Sequence, residues 1–198
     1  ETLYIYDDCF ESASLFCING LQHLRVIQVG ENCFKKSDEK TSYFSSFQVM
    51  HCPLLQSIVV GSGSFRSFGN VFSLQDLPQL SILQIGDYCF RHVSRFVLDE
   101  LPSLKELWIG SYSFTEDPIS EEWDWEKDPD RSRSFHVTNC VALTSIYIDI
   151  YSFSDYDGEF ELRNLPSLVV LSIGSVDEES FNFRFAPFVV RSRTASAD

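Results

Sequence analysis

The stretch Phe96-Val97-Leu98-Asp99-Glu100-Leu101-Pro102-Ser103-Leu104-Lys105-Glu106-Leu107-Trp108-Ile109-Gly110 recurs along the chain with its internal spacing intact. Phe16, Phe47, Phe72, Phe96, Phe135 and Phe160 fall in one column, and Gly30, Gly61, Gly86, Gly110, Asp149 and Gly174 in another, always 14 residues later. Leu98, Leu101, Leu104, Leu107 and Ile109 return as Leu74, Leu77, Leu80, Leu83 and Ile85, and as Leu162, Leu165, Leu168, Leu171 and Ile173. A fixed period of this kind marks a solenoid, in which each unit buries its apolar face only against its neighbours. Phe96-Val97-Leu98 and Leu107-Trp108-Ile109 alternate in and out with period two, so each is a short strand. Leu101-Pro102-Ser103-Leu104 spaces its apolar groups by three around a proline, which fits a turn and no long helix. The spacing therefore predicts a β-rich solenoid with few or no long helices. Its stacked rungs of about 24–25 residues form parallel sheets, with a total height of about 30 Å.

A second aromatic column, Phe10, Phe34, Phe65, Phe90, Phe114 and Phe153, lies four residues past the glycine column. The return from it to the next rung is short except in two places, near residues 35–44 and 115–134. Both insertions leave from the same edge, where added length does not slip the inward side chains. The repeat gives one domain over residues 1–190, of about seven rungs, followed by a polar 191–198 read as a disordered tail. Beyond Gly174 the next phenylalanine, Phe181, comes seven residues on, and Phe188-Val189-Val190 reads as a last half rung. Leu3-Tyr4-Ile5 aligns with Leu107-Trp108-Ile109, so the chain enters in the second half of a rung, as expected of a piece of a longer array. At Asp149 the glycine column is broken, so that position does not demand a positive φ.

With 15 Lys and Arg against 29 Asp and Glu the net charge is −14. That charge repels phosphate backbones and anionic lipid and favours basic partners, so nucleic acid is excluded as a ligand class. No apolar run reaches the roughly 18 residues of a membrane-spanning helix, and no membrane insertion is expected. Cys9, Cys33 and Cys89 take the place that Ser64, Ser113 and Ser152 hold in other rungs, and Cys52 and Cys140 sit in a leucine column. The cysteines thus follow the repeat, and all six are read as reduced and structural, with only Cys17 lacking a core place.

The run Leu24-x-x-Ile27-x-Val29-x-x-Asn32-x-Phe34 resembles the leucine-rich repeat, Leu-x-x-Leu-x-Leu-x-x-Asn-x-Leu. The likeness recurs at Leu80, Leu83, Ile85 and Phe90, at Leu104, Leu107, Ile109 and Phe114, and at Leu143, Ile146, Ile148 and Phe153. Ile85-Gly86-Asp87-Tyr88-Cys89-Phe90 is also similar to the BspA-like repeats of surface proteins. The asparagine of the signature is kept only as Asn32, being Asp8, Gly63, Tyr88, Tyr112 and Tyr151 elsewhere. The resemblance implies a leucine-rich-repeat solenoid that binds other molecules on its strands or loops, without implying catalysis.

The middle residue of each Leu-x-Ile strand points away from the core, giving an outward row of Tyr4, Gln28, Val59, Gln84, Trp108, Tyr147 and Ser172. Aromatic residues in such a row are interface anchors, and Tyr4, Gln28, Gln84, Trp108 and Tyr147 are the candidate partner-binding residues. Trp123 and Trp125, in the acidic insertion, are added to them as residues that either fold back or meet a basic partner. The alternation Asp124, Glu126, Asp128, Asp130 lacks the glycine and closing glutamate of a calcium loop, and no metal or cofactor is assigned. Gly61-Ser62-Gly63-Ser64 lacks the order of a serine nucleophile motif, and His23, His51, His92 and His136 share no metal spacing, so no catalytic residue is assigned. The residues support a non-enzymatic protein-binding or recognition module whose partner is another, basic protein. The alternatives are a β-helix enzyme acting on polysaccharide, which needs Asp149, Glu106 and Glu161 in one groove, and a ligand-free spacer. The absence of Asn-x-Ser/Thr acceptors points to the cytoplasm and the BspA-like likeness to the cell surface, so the compartment and the oligomeric state are left open.

Overall fold

The alternating strands do pair rung on rung. The structure, a computed structural model, describes residues 1–35, 45–116 and 133–191. Among these residues every regular element is a strand. One sheet holds β1 (Thr2–Ile5), β3 (Val26–Val29), β5 (Ser57–Val60), β7 (Ile82–Ile85), β9 (Glu106–Ile109), β11 (Ser145–Ile148) and β13 (Val170–Ile173) in that order. The other holds β2 (Leu15–Asn19), β4 (Ser46–Met50), β6 (Gly69–Gln75), β8 (His92–Asp99), β10 (Ser134–Thr138), β12 (Phe160–Arg163) and β14 (Phe188–Arg191). Each consecutive pair is parallel, and the repeat columns are the register: Phe47 pairs with Phe72, Phe72 with Phe96, and Phe96 with Phe135. The fold is a parallel β-solenoid.

Fourteen of the 18 phenylalanines form two ring columns of seven. Along Phe16, Phe47, Phe72, Phe96, Phe135, Phe160 and Phe188 the centroids are 4.8 to 5.2 Å apart. Along Phe10, Phe34, Phe65, Phe90, Phe114, Phe153 and Phe183 they are 4.5 to 5.2 Å apart. Parallel strands sit about 4.8 Å apart, so a ring repeated once per rung stacks on its neighbour without adjustment. The columns meet edge to face, with interplanar angles of 85° for Phe47 on Phe65 and 80° for Phe96 on Phe114, the arrangement that aromatic quadrupoles favour.

The second column has a backbone cost, because Phe10, Phe34, Phe65, Phe90, Phe114 and Phe153 all have φ between 55° and 57°. Left-handed backbone costs a non-glycine residue about 1–3 kcal/mol. Burying a phenylalanine returns about 1.5–3 kcal/mol, and each ring pair adds about 0.5–1.5 kcal/mol, so burial wins at Phe34, Phe65, Phe90, Phe114 and Phe153, while Phe10, at the end of the column, stays exposed. Between the strands, Leu104 donates its N–H to the Leu101 carbonyl at 3.2 Å and Leu80 to Leu77 at 3.1 Å, the turn read from the proline spacing.

Two features differ in detail from the sequence reading. Phe181 is not the inward ring of the last rung. Phe183 stacks on Phe153 at 5.0 Å, while Phe181 joins the outer Tyr151 at 5.7 Å. Arg191 belongs to β14, opposite Arg163, rather than to a tail; residues 192–198 lie outside the described residues. As the break at Asp149 indicates, the glycine column serves proximity in most rungs: Gly30, Gly61, Gly86 and Gly110 do not have positive φ, whereas Gly174 does (φ 76°), and a Cβ on Gly61 would lie 2.5 Å from the backbone carbon and oxygen of Gly30.

Two substitutions test this packing. Leu107 is fully buried, and Leu107→Ala should lower unfolding free energy in urea by about 2–5 kcal/mol. Gly61→Ala should cost about 1–3 kcal/mol by forcing neighbouring rungs apart. An unshifted denaturation curve for either variant would contradict the rung assignment.

Candidate functional site

The outward residues of β1, β3, β5, β7, β9, β11 and β13 come into one row by strand register. Tyr4 stands opposite Gln28, Gln28 opposite Val59, Val59 opposite Gln84, Gln84 opposite Trp108, Trp108 opposite Tyr147 and Tyr147 opposite Ser172. The candidates Tyr4, Gln28, Gln84, Trp108 and Tyr147 therefore share one face. Tyr4 and Gln28 are at the row's far end and do not line the cleft described next. Trp123 and Trp125 lie outside the described residues, as do the carboxylates Asp124, Glu126, Asp128 and Asp130.

Trp108 and Tyr147 stack with centroids 4.0 Å apart and planes 21° from parallel, and Trp108 stays 43 % exposed. Around them opens a cleft of about 390 Å³ lined by Gln84, Asp87, Trp108, Tyr147, Asp149 and Ser172 and by the bare backbone of Gly86, Gly110 and Gly174. Asp87 Oδ1 accepts the Ser111 N–H at 2.8 Å, and Asp149 Oδ1 accepts the Ile150 N–H at 2.7 Å. These bonds orient both carboxylates and leave each a second oxygen. Asp87 was missed in the sequence and Asp149 was read only as a possible catalytic acid. Their common signal is that they sit at or just after the glycine column, in rungs two apart.

The carboxylates required for polysaccharide catalysis are not gathered. Asp149 lies past the end of β11, Glu106 begins β9 at the opposite end of the same sheet, and Glu161 is on β12 of the other sheet. There Glu161 is held by Arg163 at 3.1 Å and His136 at 3.4 Å. Ser64, of the glycine-serine turn, is structural. Its Oγ accepts the Cys33 N–H at 2.9 Å and donates to the Gly30 carbonyl at 2.8 Å. Cys33, Cys89, Ser113 and Ser152 make the same donation to the carbonyls of Tyr6, Gly61, Gly86 and Gly110, so thiols and hydroxyls share one ladder. All six cysteines are free, and Cys89 is pushed up to about 12 by burial. Among the described residues no group of His, Cys, Asp and Glu is placed to hold a metal ion.

A buried ionic cluster was also missed. Arg133 is paired with Glu116 and, at 3.1 Å, with Asp155, and His92 Nδ1 is 2.9 Å from Glu116. Glu116 and Arg133 lie at the two ends of the second insertion, so the cluster ties those ends to β8 and to the bend before β12. Two carboxylates share one guanidinium, and Asp155 Oδ1 is buried with no hydrogen-bond partner among the described residues. Desolvation outweighs Arg133 and raises the Asp155 carboxyl above its ordinary 3.8.

Comparison with protein-family models, with curated proteins and with solved structures finds no match to this chain.

The Asp155 cluster predicts a pH dependence. A raised folded-state value means that the native state holds the proton more tightly than the unfolded chain. The stability that Asp155 contributes is thus present below the unfolded value and lost as pH rises through the folded one. Urea denaturation across this range should show wild-type stability falling with pH relative to Asp155→Asn. A constant difference between the two proteins would contradict the desolvated carboxyl.

Proposed function

We propose that the chain is a protein-binding module on a leucine-rich-repeat type of scaffold, engaging its partner through the outward row at Trp108 and Tyr147. The observation that carries this reading is the stacked, solvent-facing aromatic pair set in an open cleft on an otherwise regular sheet. An indole or phenol ring gives a large contact area with little side-chain entropy to lose, and here each ring already fixes its neighbour. The repeated machinery, the ring columns between their exposed terminal rings Phe10 and Phe188 and the Ser/Cys ladder, is buried and needs no residue of this row. The row is therefore free to be specialised for recognition. The acidic surface favours a basic partner and electrostatically steered encounter.

Selection of binders from a displayed peptide library against the intact chain provides the test. Binders of the row should lose about thirtyfold in affinity on Trp108→Ala, the ratio for a hot spot of about 2 kcal/mol, and little on Gln28→Ala. Binders indifferent to Trp108→Ala but lost on Trp123→Ala or Trp125→Ala would move the site to the acidic insertion.

A further inference from the structure

The cleft's lining is selective for the chemistry of its occupant. Because Trp108 and Tyr147 are consecutive in the row and stacked, each covers one face of the other and leaves its outer face toward the next residue of the row. Beyond Tyr147 that residue is Ser172, the smallest of the row. The ring stack therefore stops there and leaves a gap one rung high over the phenol face. The gap is bounded by Ser172, by Gly174, which has no side chain, and by Asp149. Among the described residues that line the cleft there is neither lysine nor arginine, whereas Asp87 and Asp149 are present. The site is thus a slot of planar height with an oriented carboxylate at its end and no counter-ion among the described residues that line it.

Resting on the reading that this row is a docking face, we propose that the slot receives an arginine side chain from an extended segment of a partner protein. The guanidinium continues the Trp108–Tyr147 stack over Ser172 and donates N–H groups to Asp149. A guanidinium is flat, stacks on aromatic faces and pairs with carboxylates through parallel N–H groups, three properties that the lysine ammonium lacks. Asp87 lies two rungs from Asp149, about 10 Å along the stack, which matches the rise of about 9 Å between residues i and i+3 on one face of a polyproline II segment. The proposed ligand is therefore a polyproline II segment with arginines at i and i+3, which share one face in that conformation. A neutral glycan would stack on the same rings, but it leaves the two carboxylates without a cation, so the charge of the lining favours the basic segment.

The probe is the peptide Gly-Arg-Gly-Gly-Arg-Gly with blocked ends, titrated into the full chain carrying Trp123→Phe and Trp125→Phe, so that fluorescence reports Trp108 alone. Replacing both arginines by citrulline, which keeps the shape and removes the charge, should weaken binding at least about tenfold, and replacing them by lysine about threefold. Asp149→Asn should weaken the arginine peptide about fivefold. Ser172→Phe, at an exposed position, should fill the slot and abolish binding without lowering the melting temperature. Equal binding of the citrulline peptide, with Ser172→Phe still blocking, would overturn the guanidinium assignment while leaving the row as a docking face. Binding indifferent to Ser172→Phe would overturn the slot. Absence of any binding at millimolar peptide would overturn the proposal as well, whereas row-dependent binders of other composition from the displayed library would keep the docking face.

Discussion

The distance between parallel strands and the distance between offset-stacked phenyl rings are nearly the same, and the fold depends on that coincidence. A phenylalanine placed once per rung needs no rotation or shift to stack on the next. Two such columns, meeting edge to face, fill the space between the sheets from Phe16 to Phe188. The interaction is strong enough to hold one column in left-handed backbone, where only glycine or asparagine is ordinarily at ease. Each rung satisfies the strand backbone of its neighbours, so the rings fix register and the hydrogen bonds follow it.

Close stacking has consequences at the bend after each outward-row strand. There the backbones approach so nearly that the column must be glycine in most rungs, and the carbonyls facing inward require a donor. Cys33, Ser64, Cys89, Ser113 and Ser152 supply it. A buried thiol and a buried hydroxyl are interchangeable here because both are small and both can donate. The same regularity leaves the outer faces of the sheets unconstrained, so chemistry can be added at Trp108, Tyr147 and Asp149 without disturbing the core.

Much of this was legible in the sequence because the repeat is carried by large apolar residues at fixed offsets. The alternation in Leu107-Trp108-Ile109 gave the strand, its inward face and the outward row at once. The equivalence of Cys89 with Ser113 showed that a small residue was needed, but not that its Oγ or Sγ donates to the rung below, since spacing carries no hydrogen-bond direction. Phe181 was misplaced because the last bend is longer and offers two phenylalanines two residues apart, of which only Phe183 faces the core. The Arg133, Glu116 and Asp155 cluster was invisible for a different reason. Its members are brought together by an insertion that departs from the repeat, so no column links them. The cleft falls between these cases: the row was readable, but Asp87 and Asp149 enter it only through the shape of the bend.

Solution NMR tests the stacked register most directly. A nuclear Overhauser spectrum of the full chain should show ring-to-ring contacts running from Phe47 to Phe72, from Phe72 to Phe96 and from Phe96 to Phe135, with amide contacts from Val97 to both Ser73 and His136. Ring contacts confined to residues near in sequence, or consecutive amide contacts typical of helix across residues 96–110, would contradict it.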